Sequence, residues 1–376
     1  MAKILVTAKQ RGSVNAVVGV IRELDRRGHS VDVYATGNDN EVAGFEGISY
    51  TRVDKPDFSD EDASDIIQRG KYETVISGLT GYNTPDGTFI RATNRLNIKN
   101  IGVNDQDGNY VDRFGTSIYG DGIPFRISLM DDGCLETMAN ELSEEMTKVA
   151  KERARVIGWT AFDSFAEDRE RFSSEDRKRI LESIGLEIEN KVYLHATQNV
   201  PGTGHFGYEI RAAEEILRIA PDLKLKLVVK PHPGEEDGKF SRMLAERYGH
   251  FYVPAKACNT KDLVLSSDAV TAGRSTMLNE ACLLDRNVGG IFQPIKEKEL
   301  GEGLEFYGEF WSGFPSIKSN ALPYVLESDK IPQLFGKLTS KEQPVLNELS
   351  EQRKKFSVDG KASERLADLV EETLNS

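Results

Sequence analysis

Short runs of β-branched and aliphatic residues take turns with stretches of helical period along this chain, and that alternation constrains the fold more than any other feature. Lys3-Ile4-Leu5-Val6-Thr7-Ala8 reads as a buried strand. Behind it Val14, Val17, Val18, Ile21 and Leu24 fall on one face of a helix that ends near Gly28. Further strands are expected at Val31–Ala35, Gly47–Val53, Thr74–Gly78 and Asn100–Asn104, the last two bracketing a helix around Phe89–Leu96. This is the pattern of a parallel sheet covered by helices on both faces. A second cycle opens at Lys191–Ala196 and continues with a helix over 207–219 and strands over 223–229, 251–253, 269–271 and 288–292. The expected fold class is therefore α/β, with two Rossmann-like, doubly wound parallel-sheet domains. The first spans 1–160 and the second 191–345, joined by a charged helical connection over 161–190. The closing segment, 346–376, places Leu366, Leu369, Val370 and Leu374 on one helical face and is expected to pack back on the domains. A length of 376 residues suits two such domains.

Charge and cysteine usage exclude several function classes. Asp and Glu number 61 against 48 Lys and Arg, a formal charge of −13, which argues against a partner as anionic as nucleic acid. No run of about 18 apolar residues occurs, and the first residues lead straight into a strand. Neither a signal peptide nor a transmembrane segment is read, and a cytoplasmic protein is expected. Cys134, Cys258 and Cys282 show no CxxC spacing, so neither a disulfide framework nor a zinc cage is supported. The five histidines lack HxH or HExxH spacing. No metal and no other cofactor is expected.

Open α/β sheets bind ligands at the carboxyl ends of their strands, so the loops there carry the candidate sites. After the first strand come Arg11, Gly12 and Ser13, where helix N–H groups favour an anion, although Ser13 also reads as an N-cap. One glycine and one arginine do not make a GxGxxG or P-loop fingerprint. Gly78 and Thr80 follow the fourth strand as a second contact loop or a tight turn. Asp105, with Asp107 close by, follows the fifth strand and is a candidate general base, in a run of Asn, Asp and Gly that is also ordinary turn chemistry.

In the second half, Leu227-Val228-Val229-Lys230-Pro231-His232-Pro233 ends an apolar strand in a cation and an imidazole set between prolines, which hold His232 extended. Lys230 supplies a point charge for a phosphate. Gly273-Arg274-Ser275-Thr276 turns from a strand into a helix with two hydroxyls and a guanidinium, and Glu280 follows within that helix to accept from ribose hydroxyls. His205, in a Gly-rich loop, is a further candidate base.

These residues resemble the two-Rossmann-domain (GT-B) superfamily of nucleotide-sugar glycosyltransferases, non-hydrolysing UDP-N-acetylglucosamine 2-epimerases and glycerophosphotransferases of the capsule and teichoic-acid type. Val156-Ile157-Gly158-Trp159-Thr160-Ala161-Phe162-Asp163 is similar to an interdomain V-x-G-x-P-x-x-D segment, with Thr160 in place of the proline. Lys230-Pro231-His232-Pro233 resembles a Lys-x-His-Pro element, and Gly273 to Ala281 resembles a G-S-T-x-x-x-E-A nucleotide-diphosphate loop. Asp359-Gly360-Lys361-Ala362-Ser363-Glu364-Arg365 resembles the closing element of the same transferases. The resemblance implies a nucleotide diphosphate held mainly by the second domain. His232, Arg274, Ser275 and Thr276 would meet the diphosphate and Glu280 the ribose, with the sugar or acceptor facing the first domain and no metal. The epimerases carry an Arg in the first loop, which Arg11 matches, then a Lys and a His-x-Glu element. Here Asn15 and Val103-Asn104-Asp105 stand at those places.

The leading expectation is a glycosyltransferase-like enzyme that moves a sugar, or a polyol phosphate, from a nucleotide-activated donor to a carbohydrate or lipid-linked acceptor in surface polysaccharide synthesis. Asp105, His232 or His205 would act as catalytic groups. The second is a UDP-N-acetylglucosamine 2-epimerase-like enzyme, which needs no acceptor. The third is a silent nucleotide-sugar-binding protein. The sequence leaves room for a homodimer.

Overall fold

A computed structural model describes residues 1–37, 42–53, 55, 57–105, 108–115, 121–197, 225–230, 242–243, 246–247, 251–252, 258–273, 275–291, 320–325, 328–356 and 358–376. They divide into two compact units, Met1–Ser164 with Val358–Ser376, and Phe165–Ser357.

The first unit opens with β1 (Lys3–Ala8), whose side chains from Ile4 onward are buried because helices cover both faces of the sheet. α1 (Arg11–Arg26) follows, its buried stripe running through Val14, Val17, Val20, Ile21 and Leu24. Each such side chain contributes about 1.5–3 kcal/mol on leaving water, so the stripe as a whole holds α1 on the sheet. Gln10 caps α1, and Ser13 closes a capping box with it. The sheet continues through β2 (Ser30–Ala35), β3 (Thr51–Arg52), α2 (Asp60–Gly70), β4 (Thr74–Gly78), α3 (Pro85–Arg95) and β5 (Asn100–Val103). It is completed by α4 (Tyr110–Phe114), β6 (Arg126–Leu129), α5 (Gly133–Glu141), α6 (Glu144–Arg153) and β7 (Ala154–Val156). The strand order is β3-β2-β1-β4-β5-β6-β7, all parallel. Order reverses between β1 and β4, the switch point where the loops part and leave a crevice. The expected strand over Gly47–Val53 shortens to Thr51–Arg52: it lies at the sheet edge with both residues exposed, and Gly47 turns the chain at φ +77°.

In the second unit, α7 (Asp163–Arg171, begun in the first) and α8 (Ser174–Ser183) precede β8 (Lys191–Ala196) and β9 (Leu225–Lys230). β10 (Phe251–Tyr252), α9 (Thr260–Ser266), β11 (Ala269–Ala272), α10 (Met277–Leu283) and β12 (Asn287–Ile291) follow. β13 (Tyr324–Val325), α11 (Ile331–Leu338) and α12 (Gln343–Arg353) complete it. The sheet order is β10-β9-β8-β11-β12-β13, again parallel, with its switch point between β8 and β11. The helix expected over 207–219 lies outside the described residues.

The last helix, α13 (Ala362–Asn375), belongs to the first unit and lays Leu366, Leu369 and Val370 into the core formed by α1 and the sheet. Two sequence motifs far apart meet at its start. The Asp163 carboxylate accepts the N–H groups of Ala362 at 2.9 Å and Ser363 at 2.6 Å, capping the helix from a distant part of the chain. Arg365 Nε donates to the Ile157 carbonyl at 2.6 Å, and its guanidinium pairs with Asp359. Gly158, at φ +102°, leaves the space this needs, since a Cβ there would sit 2.7 Å from Arg365 Nη2 and 3.1 Å from the Ala362 Cβ. The motif residues Gly158, Asp163 and Arg365 therefore hold the C-terminal helix in place.

Candidate functional site

In the first unit, Arg11, Gly12, Ser13, Gly78, Thr80 and Asp105 lie at the carboxyl ends of β1, β4 and β5. Arg11 and Gly12 are exposed at the start of α1. Asp105 follows β5 and is 9% exposed at its side chain, with its carboxylate against that helix start: a Cβ on Gly12 would lie 2.6 Å from Asp105 Oδ2. The bare glycine is what admits the carboxylate.

Arg113 on α4 fixes this arrangement. Its side chain is 4% exposed and donates from Nη2 to Asp105 Oδ1 at 3.0 Å, from Nη1 to Asn104 Oδ1 at 2.9 Å and to the Leu79 carbonyl, and from Nε to the Gly108 carbonyl at 3.1 Å. Asn104 Nδ2 in turn donates to Tyr110 Oη at 2.8 Å. A planar guanidinium suits such a junction, because its donors leave in fixed directions. Ser13 and Gly78 meet at the base of the crevice in another way. Ser13 is fully buried with its hydroxyl donating to the Gln10 carbonyl at 2.9 Å, and a Cβ on Gly78 would lie 2.5 Å from the Ser13 Cβ. Their place is to let α1 settle closely on β4.

Thr80 leads to a carboxylate that the sequence reading missed. Its hydroxyl donates to Asp86 Oδ2 at 2.8 Å, and Thr36 Oγ1 donates to Asp86 Oδ1 at 3.4 Å. Asp86 is the second residue of α3 and is fully buried. Burial pushes its carboxyl up to about 7, against the opposing pull of the Thr80, Thr7 and Thr36 hydroxyls and the Lys9 N–H. Thr84-Pro85-Asp86 looks like an ordinary cap and first turn in sequence, so nothing local marks the burial.

In the second unit, Lys230 ends β9 with 4% exposure and points Nζ at the Cys258 carbonyl at 3.4 Å. Desolvation holds its ammonium below the ordinary lysine range, and the Cys258 and Glu280 charges oppose that shift. Lys230 and Glu280 are thus electrostatic neighbours at the carboxyl edge of this sheet. Gly273 and Ser275 are half-buried, with Ser275 Oγ accepting the Met277 N–H at 3.3 Å, and Thr276 is exposed at the start of α10. His195, inside the sheet on β8, has Nδ1 3.1 Å from Thr271 Oγ1, and burial pushes its imidazole down to about 4, so it is neutral and structural. His205, His232, Arg274 and Asp107 lie outside the described residues.

Among the described residues no helix is long and apolar enough to cross a membrane, and no His, Cys, Asp and Glu group is arranged to hold a metal ion.

Solved structures match this architecture along the whole chain. A putative UDP-N-acetylglucosamine 2-epimerase from Listeria monocytogenes superposes with a TM-score of 0.71 at 14% identity, over 100% of this chain and 97% of the other. The fold is of the GT-B type, with two Rossmann-like parallel-sheet domains. The UDP-GlcNAc 2-epimerase from Neisseria meningitidis, bound to UDP-GlcNAc, matches with a TM-score of 0.68 at 14% identity over 99% of both chains. Acinetobacter baumannii MurG matches with a TM-score of 0.59 at 12% identity, over 98% of this chain and 99% of the other. No family model and no curated protein sequence matches. The expectation of a glycosyltransferase is corrected by this ranking, in which the 2-epimerases match the fold of this chain more closely than MurG does. The motifs behind that expectation fall partly on residues that anchor α13, and so carry little information about the reaction.

Proposed function

We propose that this protein acts on a UDP-activated N-acetyl sugar as a 2-epimerase. The observation that carries the reading is the likeness along both units to a 2-epimerase whose structure holds UDP-GlcNAc. Epimerisation at C2 breaks one C–H bond and remakes it on the other face, so it needs a proton-handling group at the sugar and no acceptor molecule. Asp105 takes that role in this reading, oriented by Arg113 and set at the mouth of the switch-point crevice. Asn15 and Asn104 are amides, unable to serve as acid or base, and Asp105 is the ionisable group that follows β5 next to Asn104. Lys230 would meet the diphosphate with Ser275 and Thr276, and Glu280 the ribose. Arg274 and His232 share the diphosphate role on motif grounds, and no metal enters the reaction.

The test is incubation with UDP-GlcNAc in deuterated buffer without acceptor, followed by proton NMR. The expected result is loss of the sugar H2 signal and growth of a second set of anomeric signals, both abolished in Asp105→Asn while UDP binding persists. Bound UDP-GlcNAc that keeps its H2 would refute the epimerase reading.

A further inference from the structure

At the opposite, amino edge of the first sheet, three cations stand at the starts of three neighbouring strands. Lys99 precedes β5, Arg126 begins β6 and Arg153 precedes β7, and these strands are adjacent in the sheet. The register pairs Ile101 with Arg126 and Ile127 with Ala154. Arg153 closes α6 immediately before β7 and lies close enough to Arg126 for the two charges to act on one another, while Lys99 and Arg126 share the Phe125 ring, so the three gather at this edge. Adjacent strands lie about 4.8 Å apart, which makes a cationic row about 10 Å long.

Like charges opposite one another in a sheet are destabilising, and here little offsets them. Among the described residues, no carboxylate lies within 4 Å of Lys99 or Arg153, and the one near Arg126 is Glu372 Oε1 at 3.7 Å, on a side chain 57% exposed. Phe125 braces the row, with Arg126 Cζ 4.8 Å and Lys99 Nζ 5.8 Å from its ring centre. Arg153 is fixed by Nη1 donating to the Ile123 and Pro124 carbonyls at 2.9 and 3.1 Å. Desolvation and the neighbouring Arg126 charge act against its guanidinium, with the Glu152 charge opposing them. In a chain with 13 more acidic than basic residues, three cations gathered with Glu372 as the one carboxylate within 4 Å among the described residues are under-neutralised.

We infer that Lys99, Arg126 and Arg153 form a second anion site, separate from the nucleotide-sugar residues, that takes a small phosphate-bearing molecule of about diphosphate length. Glu372, on α13, competes with that anion for Arg126.

Calorimetric titration of the full chain with pyrophosphate tests this. Arg126→Gln and Lys99→Gln are expected to weaken binding about tenfold or more each, as loss of a charge-assisted contact does. Glu372→Gln is expected to tighten it, a gain that damage to the fold cannot mimic, and Lys230→Gln is expected to leave this site's affinity unchanged. Preference for glycerol 3-phosphate over inorganic phosphate would support the site with an ester as its source, and equal affinity would support it with the free anion. Absence of pyrophosphate binding overturns the inference, as does binding that responds to Lys230→Gln and not to Arg126→Gln or Glu372→Gln.

Discussion

Asp86 gives the sharpest quantitative expectation. Its carboxyl is raised from 3.8 to about 7 by complete burial. The folded protein therefore holds this proton more tightly than the unfolded chain does. The associated stability is fully present below pH 3.8, declines as pH rises, and is gone above about 7. Three pH units at 1.36 kcal/mol each amount to about 4 kcal/mol over the full range, of which about 3 kcal/mol falls between pH 5 and 8. Asp86→Asn keeps the shape, stays neutral and has no such dependence. Urea unfolding of both proteins at pH 5, 6, 7 and 8 measures the effect. Trp159, half-buried in the first unit and stacked on Phe162 at 5.5 Å, reports on the same unit as Asp86 once Trp311 is replaced by Phe. The stability of Asp86→Asn relative to the parent should rise by about 3 kcal/mol from pH 5 to 8. A difference that stays constant across that range would mean that the surrounding hydroxyls outweigh burial and that Asp86 ionises normally.

Gly12→Ala should push the Asp105 carboxylate off Arg113 and destabilise the first unit by about 3 kcal/mol, as breaking a buried pair does; an unchanged urea midpoint would show that the carboxylate moves freely. Asp163→Ala should cost about 1–2 kcal/mol and speed amide exchange at Ala362 and Ser363, and unaltered exchange there would refute its capping role. Exhaustive EDTA treatment should leave the C2 proton exchange proposed above unchanged. A loss restored by magnesium would contradict the metal-free reading.

The strands that set both switch points were legible because they are buried on both faces and read as short aliphatic runs: β1, β4, β5, β8 and β11. β6 and β7 were not. β6 is four residues long and follows a proline, and β7 is three residues at an exposed edge after a charged helix, so neither carries a period. Asp105 could be found from its place after β5. Its partner Arg113 could not, since nothing local in Tyr110–Phe114 marks an arginine aimed at the end of β5. Asp163 and Arg365 stood out as family-like motifs, but their mutual purpose depends on contacts across about 200 positions, invisible to any local pattern.

The return of α13 to the first unit also has a temporal meaning. Residues 165–357 form an insertion whose flanking segments are clasped together where Asp163 meets Ala362 and Ser363. During synthesis, the face of α1 that receives Leu366, Leu369 and Val370 must wait until the whole second unit has been made. At 5–20 residues per second that is roughly 10 to 40 s. Throughout that interval the nascent first unit carries an uncovered apolar stripe, so the ribosome-bound intermediate, more than the finished protein, is the form that needs chaperone protection.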